Sequence, residues 1–471
     1  MIAAQASRSA VTSAAPDRPR WRRSGWAVLA AVAFAAVAIP VFGRRYVFFD
    51  MRIYHGAMEW WVAGGDLYEF IAPNTVLGFT YPPFAAVAMV PMVLLPMPVA
   101  GWVNAVASVA ALGMVLAVLL VPIADRCGWP RWPTVAVALP LAIAMEPSRE
   151  TLGFGQVNLL LFALVIADLL ALRWVGRRES ARRDAAGPGP MLAGVPAGWA
   201  VDGLRRLWYS GAWAGVGIGL ATAVKLTPGL FIVYLLLSRQ RRPAVVAMAT
   251  AAGVSLASWV VAPRESTAYF TGVLWQTDRV GAADFTPNQS LAGILARLYD
   301  SPETPGLLWL SFAALCVALG LSRAVSAHKE GDELAAFTLV GLTATVISPI
   351  SWTHHLVFVV PAVVVLGDAA LRRHHASRGL GLAPSLAGLR FGAAAVGVYL
   401  LFVISPLWWV YHRLPEGSHY DSGLWGVLAE NSLALGVILL VALMPWRPGA
   451  EPAPFGTDPA FRHLARRPRR V

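Results

Sequence analysis

The chain has 471 residues, 57% of them hydrophobic and only 14% charged, and carries a formal charge of +12. Apolar runs near or above the ~20 residues that cross a bilayer recur along almost its whole length, which excludes a water-soluble globular fold and implies an all-α polytopic membrane protein. The basic residues are nearly all arginines in short segments between those runs, a positive-inside pattern and not the footprint of a nucleic-acid partner.

In chain order, the basic N-terminus (residues 1–24) carries Arg8, Arg18, Arg20, Arg22 and Arg23 ahead of an apolar run at 26–42. No small-residue cleavage site follows, so this reads as an uncleaved first span with the N-terminus cytoplasmic. The next segment, 44–80, is then an outer loop. Asp50 sits a few residues beyond the first span, close to the membrane surface, where a lipid-borne substrate can reach it. It could equally cap a helix starting at Met51. Residues 53–62 read as a short interfacial helix, with Trp60 and Trp61 suited to the headgroup zone and Gly64-Gly65 breaking it.

Apolar runs follow at 81–96, 99–121, 133–145 and 154–174. One of the four must be partial for the next loop to be cytoplasmic, and placing Arg126 and Arg131 inside makes it 81–96. The segment 173–206 holds seven Arg against three acidic residues and reads as a cytoplasmic loop. Residues 211–238 are interrupted by Lys225-Leu226-Thr227-Pro228, which suggests a hairpin or two half-helices. A span at 243–262, a long outer segment at 263–304, and spans near 305–322, 334–348, 356–371, 391–411 and 424–445 complete a membrane domain at 25–446 of about eleven or twelve helices. The Pro- and Arg-rich tail, 447–471, reads as disordered and cytoplasmic.

Polar residues inside this apolar frame carry the functional signal. An ammonium at mid-membrane, as for Lys225, costs roughly 2.5–3.5 kcal/mol, so it either snorkels or pairs, or it binds a phosphate in a cavity. His354 and His355 end the stretch 348–355 at an expected outer turn. No CxxC or HExxH accompanies them, and Cys127 and Cys316 are isolated, so a zinc site is rejected. One of the two could meet a phosphate or hydroxyl; the alternative is a satisfied interfacial histidine. Gln156 and Asn158 suit sugar hydroxyls or a turn cap, and Arg279, Asn288 and Gln289 lie in the long outer segment. The absence of a G-x-S-x-G elbow or a P-loop argues against serine hydrolases and NTPases.

Taken in order, D-M-R-I-Y from Asp50, G-G-x-L-Y from Gly64, F-T-Y-P-P-F from Phe79, F-G-Q-V-N from Phe154, K-L-T-P from Lys225, N-Q-S-L from Asn288 and S-P-I-S-W-T-H-H from Ser348 resemble a known family. It is that of the actinobacterial α-(1→2)-mannosyltransferases dependent on polyprenyl phosphate mannose, members of the GT-C class. The resemblance covers roughly residues 25–410; the Arg-rich insertion and the tail depart from it. It implies a GT-C-type bundle with short interfacial helices in the first outer loop, in the plasma membrane with the site outside. Asp50 would be the catalytic carboxylate, with Lys225, one of His354 and His355, and Arg279 on the donor phosphate. Tyr54, Tyr81, Gln156, Asn158, Asn288 and Gln289 would face donor sugar or acceptor. The implied partners are a polyprenyl phosphate mannose donor, a mannosylated lipid or glycan acceptor, and membrane lipids. No cofactor is expected, with a divalent metal left open.

The chemistry agrees with one carboxylate. A lipid phosphate leaves as a stable anion, so the reaction needs a base for the acceptor hydroxyl and no general acid. A β-linked donor attacked from the opposite face gives an α product. Rival readings are transfer of another polyprenyl-phosphate sugar, such as arabinofuranose, and a lipid-linked sugar flippase. The flippase would favour inverted repeats, and none is evident.

Overall fold

The computed structural model describes residues 18–44, 46–184, 207–379, 386–411, 419, 421 and 423–450. Most of the Arg-rich loop and of both termini therefore lies outside the described residues. Every apolar run named above is helical where described, and among the described residues β pairing is limited to two isolated bridges, Ile71 with Gly78 and Asn288 with Trp352.

Among the described residues six helices are long and apolar enough to cross a membrane alone: Ser24–Phe42, Met97–Cys127, Asn158–Gly176, Arg241–Val261, Gly306–Lys329 and Gly388–Tyr411. The pair Gly423–Glu430 and Ser432–Leu443, bent by 62° at its break, would make a seventh. Other anticipated runs are shorter or broken, so among the described residues six or seven elements are long and apolar enough to cross, against the eleven or twelve membrane helices expected. Residues 81–96 become Pro83–Leu94, which at ~1.5 Å per residue is too short to span ~30 Å. The interruption at Lys225 is a true break, separating Val216–Val224 from Gly229–Leu237.

Helix Glu333–Ile347 is at the centre. Its residues are buried on every side through Val346, so it packs against protein all round. Small residues let its neighbours close in: a Cβ on Gly320 would lie 2.0 Å from Thr343 Oγ1, and one on Gly341 2.1 Å from the Phe358 ring. Close backbone approach of this kind substitutes for the missing hydrophobic drive between helices in lipid.

The first long loop is folded, not loose. Tyr54, Met58, Leu67, Tyr68, Phe79 and Tyr81 form their own apolar cluster, completed by Tyr269. Its helix runs Phe49–Val62, four residues longer at the start than anticipated. Phe48, at φ 56, occupies the N-cap and no side chain caps it. Asp50 therefore lies inside the first turn, and the capping role considered for it is not the one it has.

A network of arginines and aspartates marks one end of the bundle. There Arg447 bonds Asp332 and Asp368, and Asp368 also meets Arg126 and Arg372. Arg447 is buried, so the folded region continues past the boundary expected at 446. Gly101, near the start of helix Met97–Cys127, packs against Phe48. Gly101 and Arg126 are about 38 Å apart along that helix at 1.5 Å per residue, which puts Asp50 and the arginine network at opposite ends.

Candidate active site

Asp50 is fixed from two directions. The Phe48 amide donates to the Gly153 carbonyl at 2.9 Å, docking the start of its helix on the end of helix Glu146–Phe154. That second helix stops at Gly155, at φ 75, where a Cβ would sit 2.7 Å from Met51. Glycine is required there by both conformation and contact. The turn it makes aims Gln156 back at the carboxylate.

Gln156 joins the group. Its side-chain N–H groups reach Asp50 Oδ2 and, at 2.7 Å, the Tyr54 hydroxyl, while its Oε1 accepts from the Tyr81 hydroxyl at 2.9 Å. Tyr54 in turn donates to Tyr81 at 3.2 Å. The network uses all its own donors and holds Asp50 by one oxygen. Among the described residues Oδ1 has no hydrogen-bond partner, so it is the oxygen left for a substrate. Burial pushes the Asp50 carboxyl up from 3.8 to about 6, against the opposing pull of the Gln156 hydrogen bond.

Lys225 approaches from the other side. It is in extended conformation at the helix break, its Nζ 3.1 Å from Asn158 Oδ1 and 2.7 Å from His355 Nε2. The Tyr81 ring, 5.5 Å from Nζ, lies between this pair and the Asp50 network. A cavity of about 60 Å³ opens here. Its polar end is Asn158, Lys225 and His355; apolar side chains, including Phe162, Phe231 and Phe358, line most of the rest. His354 is buried beside His355, its ring 5.2 Å from Phe154, and neither of its nitrogens has a partner among the described residues. Asn158 Nδ2 is likewise unpaired. No three His, Cys, Asp or Glu side chains converge to hold a metal ion among the described residues.

The geometry thus gathers Asp50, Tyr54, Tyr81, Gln156, Asn158, Lys225, His354 and His355. Several expected contacts need correction. The hydrogen-bond donors of Tyr54, Tyr81 and Gln156 are engaged with the carboxylate and one another. Arg279 donates to the Tyr68 carbonyl and to Gln276, tying down the first loop. Asn288 gives both N–H groups to the Ala283 and Pro349 carbonyls and accepts from the Ser351 amide. Gln289 holds the Thr286 and Glu430 carbonyls and the Ala434 amide. Both amides are fully buried, where an unmade bond is costly, and neither has an N–H left for sugar. Asn288 still matters indirectly, because it shapes the strand-like segment that delivers His355.

The sequence reading missed Glu146, Arg149 and Glu150, all buried in the helix that presents Gln156. Arg149 donates to Glu146 and to the carbonyls of Phe42, Ala144 and Val403, clamping the first span to a late one beside the site. The signal was available: three charges within five residues in an otherwise apolar region.

A first prediction concerns Gln156. Its hydrogen bond favours the charged carboxylate, so Gln156→Ala should raise the Asp50 pKa above about 6 and move the acid limb of the rate to higher pH. Loss of positioning should lower kcat by about 10²-fold. An unchanged acid limb in a folded variant would deny Gln156 this role.

Comparison with known proteins places the chain in a family. The model of Glycosyltransferase family 87 matches residues 79–349. A polyprenol-phosphate-mannose-dependent alpha-(1-2)-phosphatidylinositol mannoside mannosyltransferase of Mycobacterium tuberculosis is 31% identical over 446 residues, covering 90% of this chain and 91% of its own length. A pentamannoside mannosyltransferase of the same dependence from Mycolicibacterium smegmatis is 29% identical and covers 71% and 73%. ArnT from Cupriavidus metallidurans, crystallised with undecaprenyl phosphate, aligns over 89% of this chain and 77% of its own at 17% identity and a TM-score of 0.32. The family match over more than half of the chain, joined to a relative at 31% identity across nine-tenths of it, means that this protein belongs to glycosyltransferase family 87.

Proposed function

We propose that the protein is an inverting mannosyltransferase of the plasma membrane. It moves mannose from polyprenyl phosphate mannose to a hydroxyl of a mannosylated glycolipid, forming an α-(1→2) linkage on the outer face. One observation carries this reading: a lysine–histidine pair at the polar end of an apolar cavity sits against the Tyr81 ring, whose hydroxyl joins the Gln156 network that holds a carboxylate by one oxygen. A lipid-phosphate donor needs all three.

Asp50 Oδ1 accepts the acceptor proton as the hydroxyl oxygen attacks the anomeric carbon, and the bond from that carbon to the phosphate oxygen breaks. The electron pair leaves on the phosphate, which Lys225 and His355 receive. The first units of the prenyl chain lie along Phe162, Phe231 and Phe358. Asn158 Nδ2 and the unpaired nitrogens of His354 remain for sugar hydroxyls. A positioned base contributes about 10²–10⁴-fold, or roughly 3–5.5 kcal/mol of barrier. The Lys225 ammonium and the His355 N–H stabilise charge that grows on the leaving group. The opposite-end arginine network supports an outward-facing site by the positive-inside rule. Fuller coverage by the phosphatidylinositol mannoside relative supports an acceptor of that kind.

The test is transfer by purified protein from radiolabelled polyprenyl phosphate mannose to a panel of phosphatidylinositol mannosides, with polyprenyl phosphate arabinofuranose in parallel. Labelled product sensitive to an α-(1→2)-mannosidase is expected. Transfer from the arabinose donor alone would replace the reading.

A further inference from the structure

We propose that His355 holds Lys225 as a neutral amine while the site is empty, so that binding of the lipid phosphate is coupled to uptake of one proton at Lys225 Nζ. This rests on the donor reading above and adds to it the protonation state in which the donor is met.

The argument is a count of hydrogens. The Trp352 backbone N–H donates to His355 Nδ1 at 3.2 Å. A backbone amide only donates, so Nδ1 must offer a lone pair, and the one proton of a neutral imidazole sits on Nε2. That nitrogen is 2.7 Å from Lys225 Nζ. An Nε2–H can be accepted there only by an amine lone pair, which an ammonium lacks. The amine keeps two N–H groups, and one reaches Asn158 Oδ1 at 3.1 Å. The reverse assignment, an ammonium donating to Nε2, moves the ring proton to Nδ1 and sets it head-on against the Trp352 amide hydrogen. A doubly protonated ring would put two like charges 2.7 Å apart.

The surroundings agree. The titratable groups facing Nζ are Asp50, His354, His355 and Tyr81. Tyr81 presents its ring face and donates its hydroxyl proton to Gln156. Among the described residues His354 has no partner for either nitrogen, and Asp50 is engaged by Gln156. Among the described residues no carboxylate lies within ion-pairing distance of Nζ, so a standing ammonium would be a buried charge without a partner.

A donor phosphodiester supplies that partner. It takes over the His355 Nε2–H as acceptor, the freed Lys225 lone pair accepts one proton from solvent, and the new positive charge meets the incoming negative one. Net charge in the site is unchanged. His355 acts as a positioning residue before it acts as a phosphate ligand.

The experiment is calorimetric titration of a short-chain prenyl phosphomannose, a phosphodiester that does not titrate near neutrality, into the full-length protein in detergent without acceptor. Two buffers of different ionisation heat at about pH 8 give the proton count, and about one proton taken up per donor bound is expected. Asp50→Asn should retain that uptake, which assigns the proton to Lys225. Lys225→Arg, charged at all accessible pH, should bind without uptake. His355→Gln, whose amide oxygen accepts from an ammonium, should also lose it. Donor binding by the unmodified protein with no uptake overturns the proposal and leaves the donor reading standing; no donor binding overturns both. Uptake lost in Asp50→Asn, or kept in Lys225→Arg or His355→Gln, overturns the assignment.

Discussion

Asp50→Asn is expected to abolish turnover while the protein stays folded and still binds donor. The amide keeps the size of the carboxyl group and can still meet the Gln156 side chain with its oxygen, so the network need not collapse. What it lacks is the capacity to take the acceptor proton, and the rate should fall by at least about 10²-fold. The loss belongs in kcat with donor affinity little changed, because the proton moves only in the transition state. In the unsubstituted enzyme the rate should drop as pH falls through about 6, where burial places the Asp50 carboxyl. Stability moves the other way. A carboxyl whose folded pKa is raised contributes stability below its ordinary value near 3.8 and loses it as pH rises through about 6. Removing the charge should therefore leave the unfolding midpoint at neutral pH unchanged or higher. Activity within a few-fold of the unsubstituted enzyme would remove Asp50 from the mechanism.

Lys225→Ala should act on binding first. A hydrogen bond to a charged group contributes about 1.5–3 kcal/mol, so donor affinity should weaken by about 10- to 100-fold. The contact exists already in the bound state, and part of it strengthens as the phosphate gains charge, so kcat should fall as well, by a smaller factor. Binding of the short-chain donor by calorimetry checks the first part and single-turnover transfer the second. An affinity that does not change would place the phosphate elsewhere in the cavity.

The parts of this architecture that were legible from sequence are those where the membrane leaves little choice. A spanning segment must be apolar and helical, and each expected run is a helix where described. The break at Lys225 was legible because Pro228 cannot continue a helix that ends before it. Convergence of Asp50, Gln156, Lys225 and the histidines was readable only from the order of motifs, since no spacing rule joins residues so far apart in the chain. The partners of Asn288 and Gln289 were not legible, because an amide in a polar loop looks the same whether it bonds a sugar or a buried carbonyl. The start of the Asp50 helix was misplaced because Phe48 takes a left-handed conformation, rare for a bulky side chain and unmarked in sequence. Glu333–Ile347, apolar on all faces, could as well have faced lipid; only the packing around Gly320 and Gly341 makes it the centre.

The central claim is a single displacement assisted by one carboxylate, and the anomeric outcome tests it most directly. Polyprenyl phosphate mannose with a β linkage and a ¹³C label at the anomeric carbon would be turned over with a phosphatidylinositol mannoside, and the product followed by NMR. One displacement predicts an α-linked mannose from the first turnover onward. A β-linked product would require two displacements and a second nucleophile, and would contradict the account.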